Sequence, residues 1–290
     1  MNPPQANFDF TIGQCATLAC LIEVTAPKPG NVHRGADFED SAYPDFLVAG
    51  TIIGPILEAA RRQALGQTVL AAVTATRHAV GHNTNLGMIL LIAPLAMVPR
   101  QAALPAGVTE VLGSLTPNDA ADVYAAIRLA KPGGLGRAAE ADVGEPAPSD
   151  LIAAMRLSAE RDLVARQYAN GFQQVFETAG WLAEALSSGL SLLQATVHVH
   201  LRLMSEFPDS LIARKCGIAV AEHSAARARA ALQAGDSHGD AYSDALADLD
   251  FWLRSDHHRR NPGTTADLVA AGLFVALRDG IIKPPLRLAF

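Results

Sequence analysis

Lysine is scarce in this chain: four of its 290 residues (Lys28, Lys131, Lys215 and Lys283) against nineteen arginines. Charged residues of every kind make up only 18%, the net charge is −6, and half of the residues are apolar. That balance excludes intrinsic disorder, which needs high charge and little hydrophobic surface. It also argues against nucleic acid as a partner, because a broad basic surface is what neutralises phosphates in such complexes; a local cationic pocket stays compatible. Cysteine is sparse as well. Cys15, Cys20 and Cys216 contain no CxxC pair and are odd in number, which excludes a disulfide framework and leaves them as small buried hydrophobes. The first residues show no basic stretch followed by an apolar one, so no secretory leader is expected and the expected location is cytoplasmic. The most apolar run, 86–98, is 13 residues long and contains Pro94, short of the roughly 20 that cross a bilayer. A buried core helix is expected there, and no membrane partner.

Alternating strand patterns are nearly absent, while Ala, Leu and Arg recur at helical spacing. The expected fold class is all-α, a single large multi-helix bundle-like domain spanning residues 1–290. Helices are predicted over 10–24, stopping before Pro27 and Pro29; over 43–65, ended by Gly66; and over 67–80 and 85–98. Further helices are predicted over 117–130 with Thr116 as cap, 149–186 with a break near Glu160, 191–206, 209–233, 241–254 and 265–278. No solenoid repeat emerges. A small echo does: Lys28-Pro29-Gly30 with Arg34, and Lys131-Pro132-Gly133 with Arg137, share the spacing K-P-G-x-x-x-R.

The polar connections between these helices carry the candidate chemistry. In residues 23–45, the Pro27-Lys28-Pro29-Gly30 turn is stiff at both prolines and permissive at Gly30, so it can present a lysine beside backbone N–H groups facing an anion. Lys28, Asn31, His33 and Arg34 supply donors and positive charge. Asp37, Asp40 and Asp45 supply carboxylates, of which Asp40 and Asp45 are the candidate ligands of Mg²⁺, an ion that accepts one or two carboxylates and completes its shell with water and phosphate oxygens. The second constellation, Gly81 to Gly87, sets Asn83, Thr84 and Asn85 at the start of the apolar helix, where the macrodipole favours anions. The third, Lys131 to Asp142, has glycines at 133, 134 and 136 that let a ligand approach the backbone. It is not a Walker A loop, since its lysine precedes the glycines, and not a Rossmann fingerprint, since no strand precedes it. Gly263, Thr264 and Asp267 open the last long helix as a cap that would also cradle phosphate.

Several other groupings read as structural. Glu160-Arg161-Asp162 with Arg166 and Tyr168 fits a solvated helix face. His78 and His82 are four apart but lack a third ligand at a recognised spacing. The pairs His198/His200 and His257/His258 lack HExxH spacing, and no GxSxG elbow or cysteine nucleophile context is present.

The order and distances of Glu23-Val24, Pro27 to Val32, Asp45-Phe46, Asn83-Thr84, Gly87, Pro262-Gly263 and Ala266-Asp267-Leu268 resemble the triphosphoribosyl-dephospho-CoA synthase family over most of the chain. Members make the prosthetic-group precursor of citrate lyase and malonate decarboxylase, and are all-helical. The resemblance implies transfer of a triphosphoribosyl group from ATP to the 2′-hydroxyl of 3′-dephospho-CoA, releasing adenine. Attack falls on the anomeric carbon, so an oxocarbenium-like transition state is expected. The implied roles are triphosphate binding by Lys28, Asn31 and Arg34 with Mg²⁺ on Asp40 or Asp45, general base catalysis by Glu23, Asp40 or Asp45, and support of departing adenine by the Asn83 or Asn85 amides. Lys28→Ala is accordingly expected to weaken donor use without unfolding the chain.

One departure stands out. Where the family has N-T-H-K-G, this chain has Asn83-Thr84-Asn85-Leu86-Gly87, lacking the histidine and the lysine. A second enzymatic reading is therefore transfer of a related ribosyl phosphate to another acceptor, in the making of a one-carbon carrier of the tetrahydromethanopterin or methanofuran type. A non-catalytic nucleotide-binding homologue and a hydrolase of an N-ribosyl bond are the remaining alternatives. Helix faces that pair within a bundle resemble those that pair between subunits, so a homodimer is also among the expectations.

Overall fold

The computed structural model describes residues 9–133, 143–237 and 239–288. They form fourteen α-helices and no sheet, with 68% of the chain helical. In chain order these are α1 (Ile12–Thr25), α2 (Tyr43–Glu58), α3 (Leu65–Val80), α4 (Leu86–Met97), α5 (Leu104–Gly113), α6 (Pro117–Ala130), α7 (Leu151–Ser158), α8 (Leu163–Asn170), α9 (Gln173–Ser187), α10 (Leu192–Glu206), α11 (Ser210–Cys216), α12 (Ile218–Leu232), α13 (Asp240–Arg254) and α14 (Gly263–Arg278). Among the described residues no helix is long and apolar enough to cross a membrane.

Helix starts follow local chemistry. Thr11, Thr116 and Ser191 each close a capping box with the residue three further on, Gln14, Asp119 and Gln194, which satisfies otherwise unpaired N–H groups. The predicted helix 117–130 agrees with α6 at both ends. Other expectations differ. Gly66 does not end a helix; it lies in the first turn of α3, where its N–H donates to Asp119 Oδ1 at 2.8 Å and a Cβ would stand 2.7 Å from the Asp119 Cα. Only glycine lets α3 approach α6 that closely. The predicted 43–65 helix instead stops at Glu58 and passes through a short 3₁₀ turn at Ala60–Arg62. The span 149–186 breaks near Glu160 as expected, and again at Gly171 and Phe172, both with positive φ. The span 209–233 breaks at Gly217 (φ 93°). Helix α5 is an addition, begun by Pro105 in its first turn and burying Leu104, Val108 and Leu112.

Helix α14 is the axis of the core. Nearly all of its side chains are buried, from Thr264 to Arg278, and it packs against α1, α4, α9 and α10. A helix apolar on every side needs neighbours all round, and those four supply them. Small residues set the spacing: Gly272 rests on Thr178 of α9, and Gly13, Gly50 and Gly54 let α1 and α2 cross in close contact. With the α14 axis held in this way, its N-terminal turn opens beside the starts of α4 and α8.

Candidate active site

These helix starts face one cavity of about 1340 Å³, whose wall includes residues from α1, the 31–41 loop, the 82–88 turn and the first turns of α8 and α14. Three N-termini of positive macrodipole aimed at one space favour a polyanion there. Asp209 holds part of this arrangement. Its buried carboxylate accepts from the N–H groups of Leu211 and Ile212 at 2.8 and 3.0 Å, and from the Thr265 N–H and hydroxyl at 2.7 and 2.8 Å. Ser210 completes the tie: its hydroxyl donates to Thr264 Oγ1 at 3.1 Å and accepts from Leu163 N–H at 3.2 Å. Helices α8, α11 and α14 are thus joined at their starts, which accounts for the Thr264-Thr265 pair without a ligand.

The Pro27-Lys28-Pro29-Gly30 turn works differently from the phosphate-facing loop expected of it. Lys28 points inward, is 0% exposed, and places Nζ 2.9 Å from Glu23 Oε1. Its ammonium also donates to the Glu23 and Ala26 carbonyls. Gly30 has φ 76°, its N–H donates to Asp250 Oδ1 at 2.7 Å, and a Cβ there would stand 2.8 Å from Leu253. So this glycine serves packing on α13, not approach to a ligand. Asn31 does reach the cavity wall, anchored by its Nδ2 donating to Asn261 Oδ1 at 2.7 Å and by Arg254 donating to its carbonyl.

Glu23 and Asp267 both line the cavity, and the Glu23 charge is the foremost of the charges that raise the Asp267 carboxyl. Burial raises Glu23 above the usual carboxylate range while the Lys28 ammonium opposes that rise. Burial likewise pulls Lys28 down. Asp267 is pushed well above the usual range, first by burial and then by the negative charges of Glu23, Asp209 and Asp162, with Arg214 opposing. Glu23 is ion-paired with Lys28, whereas Asp267 has no ion-pair partner among the described residues, so burial and neighbouring negative charge push Asp267 the further above its ordinary value. Gly87 makes room for this: a Cβ there would collide with the Asp267 carboxyl, which lies on the first turn of α4.

Residues of the wall also carry buried polar atoms without hydrogen-bond partners: Asn31 Oδ1, Thr84 Oγ1, Asn85 Nδ2, Arg214 Nε and His258 Nδ1. Such orphans are rare in folded proteins. Five in residues that line one cavity make this wall unusually polar. Asn83 is different, since its Oδ1 accepts from Leu86 N–H at 3.1 Å and caps α4.

Of the expected residues, Glu23, Asn31, Asp40, Asn83, Thr84, Asn85, Gly87, Lys131, Gly133, Gly263, Thr264 and Asp267 come together on this wall. Lys28, Gly30, His33, Arg34 and Asp45 do not line it. His33 is half-buried in a tight turn closed by Ala36, its Nδ1 accepting from Gly35 N–H at 3.1 Å. Asp45 closes the start of α2, accepting from Ala42 N–H at 2.9 Å, and lies 3.5 Å behind His82. Gly134 lies outside the described residues. Among those described, no three His, Cys, Asp or Glu side chains cluster as a metal cage. Sequence reasoning missed the arginines. Asp162, read as part of a solvated face, caps α8 and pairs with Arg214 at 2.5 Å; Arg77, Arg161, Arg214 and Arg259 all line the cavity. Scattered arginines in helices carry no local signal, and only their convergence marks them.

Comparison with known proteins agrees with this architecture. A crystal structure of a candidate triphosphoribosyl-dephospho-CoA synthase from Archaeoglobus fulgidus superposes with a TM-score of 0.65 at 27% identity, covering 81% of this chain and all of that one. No functionally curated protein matches the sequence. The CitG family, ATP:dephospho-CoA triphosphoribosyl transferase, matches residues 9–284, and the chain belongs to that family.

Proposed function

We propose that the protein transfers the triphosphoribosyl group of ATP to the 2′-hydroxyl of 3′-dephospho-CoA and releases adenine. The observation that carries this reading is the Glu23 and Asp267 pair on the cavity wall, one carboxyl matched to a cation and the other pushed well above the ordinary carboxyl range. Glu23 accepts the proton of the attacking hydroxyl as the new C–O bond forms at the anomeric carbon. Asp267 donates its proton to a ring nitrogen of adenine as the N-glycosidic bond breaks. One proton passes from alcohol to base overall, which suits an oxocarbenium-like transition state flanked by two carboxyls. The α4 start, with Thr84 and Asn85, and Arg77 face the triphosphate.

Mg²⁺ fits this wall through Asp40, which lines the cavity, with water and phosphate oxygens completing its shell; Asp45 is committed to its helix cap. The ion would neutralise phosphate charge. A need for ATP supports a cytoplasmic location, and the family match over 9–284 supports reading the chain as one helical domain.

Incubation with ATP and Mg²⁺, with and without 3′-dephospho-CoA, followed by chromatography for adenine, tests the reading. Release should depend on the acceptor and stop with EDTA. Release without acceptor would make the protein a hydrolase. Because Asn85 and Leu86 line the cavity where the resemblance expects histidine and lysine, a different acceptor is the second reading, and a panel of hydroxyl-bearing carriers separates the two.

Gly87→Ala should displace the Asp267 carboxyl and lower kcat for adenine release by about a hundredfold, at an overpacking cost of about 1–3 kcal/mol. An unchanged kcat in this variant would remove the Gly87 contact from the mechanism.

A further inference from the structure

The proposed reaction brings two polyanions into one cavity, and the cations on its wall fall into two groups carried by different elements. Arg77, at the end of α3, stands with His82 and the α4 start. The second group consists of Lys131, which ends α6, Arg161 in the α7–α8 turn, Arg214 and Lys215 in the last turn of α11, and Arg259. Its members are contiguous. A Cβ on Gly133 would stand 3.2 Å from Lys215 Cε, and Arg259 donates to the Lys215 carbonyl at 2.8 Å.

The same helices turn apolar side chains into the cavity next to these cations. Tyr124 and Ile127 precede Lys131 on α6, Ala154 and Met155 precede Arg161, and Leu211 precedes Arg214 and Lys215. Residues three and four apart lie on one helix face. Tyr124, Ala154 and Met155 are buried, whereas Lys131 and Arg161 are exposed, so this wall is apolar in depth and cationic at its rim. Cations at helix C-termini also answer the macrodipole. Arg214 is already neutralised by Asp162, but the ammonium groups of Lys131 and Lys215 donate to no described residue. In a chain with four lysines, two meet here.

We infer that this wall is the acceptor subsite: Lys131, Arg161 and Lys215 hold the diphosphate of 3′-dephospho-CoA, and its pantetheine arm of methylenes and amides lies along Tyr124, Ile127 and Met155. ATP's triphosphate then belongs to the α4 end. The inference rests on the proposed function for its ligand. ATP has a polyanionic tail but no long flexible apolar arm; the acceptor has both an anionic head and such an arm.

The test is the double variant Arg161→Ala/Lys215→Ala in the full chain, both positions lying outside the buried core. With each substrate varied in turn, the KM for 3′-dephospho-CoA should rise about tenfold or more, as expected for lost charge-assisted phosphate contacts. The KM for ATP should stay within about twofold. A rise in the KM for ATP, or no change in either, overturns the assignment. Calorimetric titration keeps the two readings apart. If wild-type protein released no adenine, the proposed function would fall, yet 3′-dephospho-CoA binding weakened about tenfold in the variant would still support the subsite. Absence of wild-type binding to 3′-dephospho-CoA would overturn it.

Discussion

Lys28→Ala is expected to destabilise the protein by about 3–5 kcal/mol, because it strands the Glu23 carboxylate in the interior without its cation. This replaces the expectation, natural from the turn alone, that the lysine binds donor phosphate and can be removed without harm to the fold. The side chain is fully buried, and its ammonium is used up by Glu23 and two backbone carbonyls. At roughly 2–4 °C of Tm per kcal/mol, the scale for chains somewhat shorter than this one, the melting temperature should fall by about 6–20 °C. The paired variant Glu23→Gln/Lys28→Met removes both charges and should recover most of that loss, since a buried pair replaced by neutral groups of similar volume is often no less stable. Thermal melts of the two variants beside wild type decide the matter. A Lys28→Ala protein as stable as wild type would show that the ion pair does not hold this end of α1.

Asp267→Asn should have opposite effects on stability and activity. Asp267 has its folded pKa raised well above the ordinary carboxyl value by burial and by neighbouring negative charge. Between the unfolded value and that raised value the native state holds a proton that the unfolded state has lost, so stability falls as pH rises through the window. Asparagine has no proton to lose. The variant should therefore be the more stable protein above the unfolded pKa, with a gain that grows with pH and vanishes in acid. Activity should move the other way, by a loss of about 10²–10⁴ in kcat, the usual contribution of a positioned acid. In wild type, kcat should drop on the alkaline side as Asp267 ionises, and that limb should be missing from the residual activity of the variant. Glu23→Gln should remove the acid-side limb with a loss of similar size, since protonated Glu23 cannot accept the hydroxyl proton. Retention of the alkaline limb in Asp267→Asn would assign it to another group.

Reading the residues in order singled out much of this cavity wall, but for uneven reasons. Asn83, Thr84, Asn85 and Gly87 were legible because four polar or small residues before an apolar helix exceed what a cap requires, and two of them, Thr84 and Asn85, keep buried atoms unpartnered on the cavity. Asp267 was legible as a helix-start acid, although its distinguishing property comes from Glu23, Asp209 and Asp162, which lie 244, 58 and 105 positions away in the chain. The two K-P-G turns show the limit of motif reading. They look alike, yet Lys28 is sealed inside while Lys131 is exposed at the cavity mouth. Asp209, which ties α11 to α14, gave no sign of that role beyond an ordinary cap.

The amino-acid order by itself determined the all-helical class, most helix starts, and which short connections are polar. Those depend on neighbours within about four positions, where periodicity, capping and proline exert their effect. Only tertiary structure decided where the charges point. Gly30 meets Asp250 and Asn31 meets Asn261, pairs separated by 220 and 230 positions. Burial and the distance between charges set whether a carboxyl acts as base, acid or strut, and both arise only when remote segments fold against each other.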